Sequence, residues 1–95
     1  MDTTELLNER GKTHGDYGHH ANITQNIKTV MANCWAPWNG ADRVHCWHKL
    51  RNDQKESLDM IAHKIGRILA GDPDFRDHWD DIAGYAKLAA DRCSK

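Results

Sequence analysis

The chain has 95 residues, and its 13 Lys and Arg against 14 Asp and Glu leave a formal net charge of −1. A chain of this length forms one domain, spanning residues 1–95, and buries roughly two-thirds of its unfolded surface, so we expect a homo-oligomer to complete the core. The balanced charge argues against sequence-specific nucleic-acid binding, and apolar runs of at most three residues exclude a membrane span.

The first half of the chain predicts two helices and two irregular loops. Thr3 or Thr4 caps a first helix that ends at Gly11, where a glycine-rich loop over residues 11–20 begins. Apolar residues at helical spacing predict a second helix over residues 21–34. Pro37 and its neighbours then break the chain, and residues 36–52 form the second loop.

The second half of the chain predicts two long amphipathic helices. The third begins at a cap on Asp53 and ends at Gly71, because apolar residues recur there at i, i+3, i+4 and i+7. The fourth covers residues 75–92 and has an alanine-rich face that another helix can approach closely. No alternating run is long enough to predict a strand. The expected fold class is therefore all-α, a small four-helix arrangement completed by oligomerisation.

The loop over residues 11–20 gathers groups that bind phosphorylated ligands. Its glycines let the backbone approach a ligand, Lys12 and His14 can contact phosphates, and Tyr17 can stack on a base. No P-loop motif is present. A plain turn whose Asp16 or His20 caps the second helix is the alternative. We expect the loop to lie over a ligand site on the third and fourth helices.

The last two helices each carry acidic residues opposite their apolar face. Helical spacing places Glu56, Asp59, His63 and Arg67 within a sector of roughly 80° on the third helix. The fourth helix carries Asp77, Asp80 and Asp81. Carboxylates at i and i+3 or i+4 commonly hold Mg²⁺, which then bridges phosphate oxygens. Solvated helix faces, or acids that complement the helix dipole, would give the same pattern.

Zinc binding is a weaker alternative for the cysteine-containing region. Cys34, His45, Cys46 and His48 offer four ligands, but they lack the Cys-x2-Cys or His-x3-His pairs of common zinc sites. We favour small buried apolar cysteines, with Trp35, Trp38 and Trp47 forming a hydrophobic clamp or a subunit contact. The N-terminal residues show no signal-peptide pattern, so we expect a cytoplasmic location, in which cysteines stay reduced.

Four segments resemble a family of small phage and prophage proteins of unassigned function: KTHGDY (12–17), QKESLDMIAHKIGRI (54–68), GDP (71–73) and HWDDIAGY (78–85). More distantly, Glu56-x-x-Asp59 followed by Asp77-x-x-Asp80 is similar to the ExxE…ExxD pattern of the MazG-like all-α nucleotide pyrophosphohydrolases. Asp replaces Glu at two of the four positions. In that superfamily the acids hold Mg²⁺, and the enzyme cleaves a nucleoside triphosphate to the monophosphate and pyrophosphate.

The resemblance implies a phage-encoded Mg²⁺-dependent nucleoside triphosphate pyrophosphohydrolase. The implied catalytic residues are Glu56, Asp59 and Asp80. The implied metal ligands are Glu56, Asp59, Asp77, Asp80 and Asp81. The predicted ligand-binding residues are Lys12, His14, Asp16, Tyr17, His63, Lys64, Arg67 and Tyr85. The alternative is a sponge without turnover or cofactor, which sequesters a linear or cyclic nucleotide signal of a host defence system. A third possibility is an interaction module with solvated acidic faces.

Overall fold

The chain folds into four helices and one β-hairpin, and the computed structural model describes residues 2–95. The elements in chain order are α1 (Thr3–His14), α2 (Tyr17–Ala32), β1 (Trp35–Trp38), β2 (Ala41–His45), α3 (Asn52–Ala70) and α4 (Arg76–Ala90). The four predicted helices are confirmed. The prediction that no strand forms is wrong, because β1 and β2 pair antiparallel inside the predicted second loop.

The first helix is longer than its sequence predicts. Asp2 caps α1 by accepting a hydrogen bond from the Glu5 N–H, in place of the predicted threonine cap, and the helix continues through Gly11. It ends at Gly15, whose φ is 78°. A side chain there would also collide with the backbone carbonyl of Ala70, so this crossing requires glycine. The predicted irregular loop over residues 11–20 is wrong, because only Gly15 and Asp16 separate α1 from α2.

Helix α2 lies unusually close to α3. Asp16 caps α2 by accepting a hydrogen bond from the His19 N–H, which confirms one of the two predicted caps. At the contact with α3, a Cβ on Gly66 would collide with Thr24 and His20. Glycine at this position therefore lets the two helices approach until the His20 ring reaches the backbone of α3.

Helix α3 is the centre of the fold, since it packs against α1, α2 and α4. Arg51, rather than the predicted Asp53, is its N-cap residue, and the Arg51 N–H donates to the side chain of Gln54. Gly71 ends the helix as predicted. The α1 end is joined to the turn after α3 by a hydrogen bond from the Asp72 N–H to the Thr13 carbonyl.

The apolar core of a single chain is small. Only Ala62 and Ile68 are buried apolar residues among residues 2–95, whereas side chains such as Leu7, Val30 and Trp79 are more than half exposed. The radius of gyration is 16.1 Å, against about 12–13 Å for a compact chain of this length. Within the described residues, no helix has the length and apolar character that crossing a membrane requires.

Candidate functional site

A cleft of about 550 Å³ opens where the end of α1, the start of α2 and the middle of α3 meet. Its polar and aromatic lining includes Arg10, His14, Tyr17, His20, His63 and Arg67. The close packing of α2 on α3 and the crossing at Gly15 bring these side chains together from three helices. A more open depression of about 470 Å³ on α4 includes Asp80, Asp81 and Tyr85.

At the end of α1, His14 lines the cleft and is backed by a second histidine, His78. The fully buried His78 has its Nε2 3.1 Å from Nδ1 of His14 and 3.3 Å from the carbonyl oxygen of Thr13. A carbonyl only accepts hydrogen bonds, so His78 carries its proton on Nε2, and Nδ1 of His14 accepts. The proton of neutral His14 then lies on Nε2, which has no hydrogen-bond partner within residues 2–95 and is free to donate to a ligand.

A second pair of histidines joins α2 to α3. The buried His20 donates from Nε2 to the backbone carbonyl of His63 over 3.1 Å, and the two ring centroids lie 4.4 Å apart. Burial, followed by the nearby Arg67 guanidinium, lowers the pKa of His14, His20 and His63, the last to about 4. These three histidines are therefore neutral near pH 7, and they sit in a positive field.

Two arginines give the cleft its charge. Neither Arg10 nor Arg67 has a carboxylate within salt-bridge distance in the described part of the chain. The Nε of Arg67 is buried and has no hydrogen-bond partner there. A buried donor left without an acceptor costs about 1–3 kcal/mol, so the protein does not fully satisfy the guanidinium of Arg67 in the described residues. Asp16, the one carboxylate of the lining among residues 2–95, is occupied in capping α2.

The cleft contains five of the eight predicted ligand-binding residues: His14, Asp16, Tyr17, His63 and Arg67. The other three lie elsewhere. Lys12 pairs with Glu9, the buried Lys64 pairs with Asp81, and Tyr85 lines the depression on α4.

Three contributors were missed by the sequence analysis, namely Arg10, His20 and His78. Arg10 was missed because the first helix was expected to end at the next residue. The positions of His20 and His78 depend on Gly66 and on the turn after α3, which no local pattern reveals.

Three of the five predicted metal ligands are paired with basic side chains. Asp59 lies 3.7 Å from Lys28, Asp80 lies 3.1 Å from Arg76, and Asp81 lies 2.8 Å from Lys64. Within residues 2–95, no three His, Cys, Asp or Glu side chains are grouped to hold one metal ion. The predicted carboxylates, Glu56 and Asp77 included, do not form a single donor set for Mg²⁺ in this arrangement, and the magnesium site stays a prediction.

Comparison with models of protein families, with curated proteins and with solved structures gives no match to this chain. The resemblance to small phage proteins and to MazG-like pyrophosphohydrolases therefore stays a prediction.

Proposed function

We propose that the protein binds a phosphorylated nucleotide in the cleft between α1, α2 and α3, by direct contacts and without turnover. The observation that carries this proposal is that Arg10 and Arg67 line one cleft without a carboxylate partner within residues 2–95, the buried Nε of Arg67 also lacking a hydrogen-bond partner there. A site with two guanidinium groups that have no carboxylate partner in the described residues favours an anion over a cation or a neutral ligand.

The phosphate groups would contact the two arginines and His14. A guanidinium binds phosphate through two parallel N–H donors, so Arg67 would supply both charge and orientation. His14 would donate from Nε2 in its neutral form, because Nδ1 is occupied by His78. The site thus binds an anion near pH 7 without first having to protonate a histidine.

The base would stack on Tyr17 at the mouth of the cleft. The Tyr17 side chain is 80% exposed, although its ring lies edge-on to His20 at a centroid distance of 6.2 Å. An exposed aromatic face beside a cationic groove binds nucleobases with little preference among them. The cleft volume of about 550 Å³ lies within the range of small-molecule sites.

Binding without turnover is favoured over hydrolysis because Asp59, Asp80 and Asp81 have basic partners. A metal-dependent hydrolase needs several carboxylate oxygens around one ion, with a position left for water. The pyrophosphohydrolase proposal would require these ion pairs to break and the carboxylates to converge. Capture of a nucleotide signal from a host defence system is the role that the phage resemblance suggests for a protein without turnover.

The test is to incubate the protein with linear and cyclic nucleotides, with Mg²⁺ or with EDTA, and to measure binding by calorimetry and products by chromatography. We expect micromolar or tighter binding of at least one nucleotide, equal in Mg²⁺ and EDTA, with the ligand recovered intact. Arg67→Gln should weaken that binding at least tenfold. Arg76→Gln is the matched control, because Arg76 is exposed on α4 and lies outside the cleft.

Two outcomes would contradict the proposal. If no nucleotide binds, or if Arg67→Gln binds as well as the parent, the cleft is not the site. If Mg²⁺ triggers release of pyrophosphate, and Glu56→Gln or Asp80→Asn abolishes that release, the protein is an enzyme and the acids have the role that the resemblance implies.

A further inference from the structure

The hairpin of β1 and β2 is joined to the helices through a side chain, since the His45 ring donates from Nε2 to the carbonyl oxygen of Ala32 at the end of α2. Its strands pair through Trp35 with His45 and Ala36 with Val44, and their backbones pack against each other and against none of the four helices. Within the hairpin, the Arg43 guanidinium lies 5.0 Å from the ring centroid of the exposed Trp35. A two-stranded hairpin without a further strand or helix behind it is only marginally stable in water.

Two cysteines face each other at the open end of this hairpin. Cys34 precedes β1 and Cys46 follows β2. The Cys46 N–H donates to the Cys34 carbonyl over 2.9 Å, and the two Sγ atoms lie 2.8 Å apart. The pairing of Trp35 with His45, continued by one residue, places the two cysteines directly opposite each other.

The backbone geometry suits a covalent bond between these sulfurs. Residues directly opposed in a hydrogen-bonded antiparallel pair have Cα atoms about 5.5 Å apart, and disulfides span Cα separations of about 4.4–6.8 Å. The bridge can therefore form without moving either strand. The Cys34 side chain is exposed and Cys46 is half-buried, so a small oxidant can reach the pair.

We infer that Cys34 and Cys46 are a redox modification site that closes the hairpin with a reversible intramolecular disulfide. The co-reactant is a low-molecular-weight disulfide such as oxidised glutathione. One cysteine thiolate attacks it, forming a mixed disulfide and releasing one glutathione thiolate. The second thiolate then attacks the protein sulfur of that mixed disulfide and releases the second glutathione. The two cysteine protons pass through solvent to the two released thiolates, and the two electrons reduce the glutathione disulfide bond.

Cys93 provides an internal control for this inference. It lies beyond α4, and its Sγ is 3.5 Å from the carbonyl oxygen of Ala89, in the neighbouring turn of its own chain. Its thiol is exposed, so it is as open to chemical labelling as Cys34. A specific pairing of Cys34 with Cys46 should leave Cys93 free, whereas unselective oxidation should involve all three cysteines.

The experiment treats the reduced protein with oxidised glutathione, alkylates the remaining thiols, and digests it with trypsin without reductant. Cleavage after Lys28, Arg43, Lys49 and Arg92 places the three cysteines in separate peptides, 29–43, 44–49 and 93–95. We expect the first two peptides to be joined, with a mass about two units below their sum, and only peptide 93–95 to be alkylated. Alkylation of all three cysteines, a persistent glutathione adduct, or a disulfide to Cys93 would overturn the inference.

Cysteine variants distinguish a disulfide that stabilises the hairpin from an oxidation that has no effect on it. In the parent and in Cys93→Ser, oxidation should slow tryptic cleavage after Arg43 severalfold, because the closed hairpin opens less often. In Cys34→Ser and Cys46→Ser, the same treatment should leave that rate unchanged, with the helical circular dichroism intact. An equal cleavage rate before and after oxidation of the parent would also overturn the inference. So would stoichiometric Zn²⁺ that the parent retains and that Cys34→Ser or Cys46→Ser loses.

Discussion

Replacing His63 by Gln should make the stability of the protein less sensitive to acid. Burial lowers the pKa of His63 to about 4, with further contributions from Arg67, His20 and Lys64, whereas the same group in the unfolded chain titrates near 6.5. Between these values the unfolded state binds a proton that the folded state does not. The stability associated with neutral His63 is therefore complete above pH 6.5 and is lost as the pH falls toward 4.

The size of the effect follows from the same two pKa values. A shift of one unit is worth about 1.4 kcal/mol, so lowering the pH from 7 to 5 would cost roughly 1.8 kcal/mol if His63 were fully shielded. The ring remains partly accessible, and solvent screening reduces this to about 1 kcal/mol. His14 and His20 contribute with the same sign, because their pKa values are also lowered. The pKa of Asp81 is lowered by Lys64 from a model-peptide value of 3.8, so its contribution is lost only at still lower pH.

Urea unfolding of the parent, His63→Gln and His19→Gln at pH 7, 6 and 5 would measure this effect. His19 lies on the exposed side of α2 and is the matched control. The parent and His19→Gln should lose the same free energy of unfolding, and His63→Gln should lose about 1 kcal/mol less. Equal losses in all three proteins would refute the assignment of His63 as a buried neutral histidine.

Three further expectations concern the cleft, the packing of α2 and the assembly. Nucleotide binding should take up protons below pH 6, because an anionic phosphate raises the lowered pKa of the cleft histidines. Calorimetry in two buffers of different ionisation enthalpy would measure this uptake. Zero uptake, or a His14→Ala variant that binds nucleotide like the parent, would contradict the prediction. Gly66→Ala should lower the free energy of unfolding by about 1–3 kcal/mol, because the new Cβ would meet Thr24 and His20. Gly84→Ala is the control, because a Cβ there meets nothing within 4 Å and should leave the stability unchanged. Equal urea midpoints for the two variants would refute the prediction. Light scattering should find more than one chain per particle at micromolar concentration, and a monomer would show that the exposed apolar side chains need no partner subunit.

The sequence predicted the helices from periodicity and missed the features that depend on turns or on distant contacts. The sequence predicts that the first helix ends at Gly11, yet the helix ends at Gly15, where the backbone crosses Ala70. The hairpin carried a local signal, since Asn39 and Gly40 both have positive φ, as the two-residue turns favoured by Asn-Gly require. Pro37 is tolerated because both strands of a two-stranded sheet are edges.

The polar face of α3 explains why the site residues were only partly predictable. Spacing places Asp59, His63 and Arg67 in one sector, and such a sector normally faces solvent. Because α3 lies at the centre of the fold, this sector instead meets α2 and the end of α1. Asp59 is matched by Lys28, while Arg67 reaches the cleft with its Nε still without a partner in the described residues. Packing thus pairs Asp59 with Lys28 and leaves Arg67 without a carboxylate partner in the described residues, which supports the proposed binding of an anion.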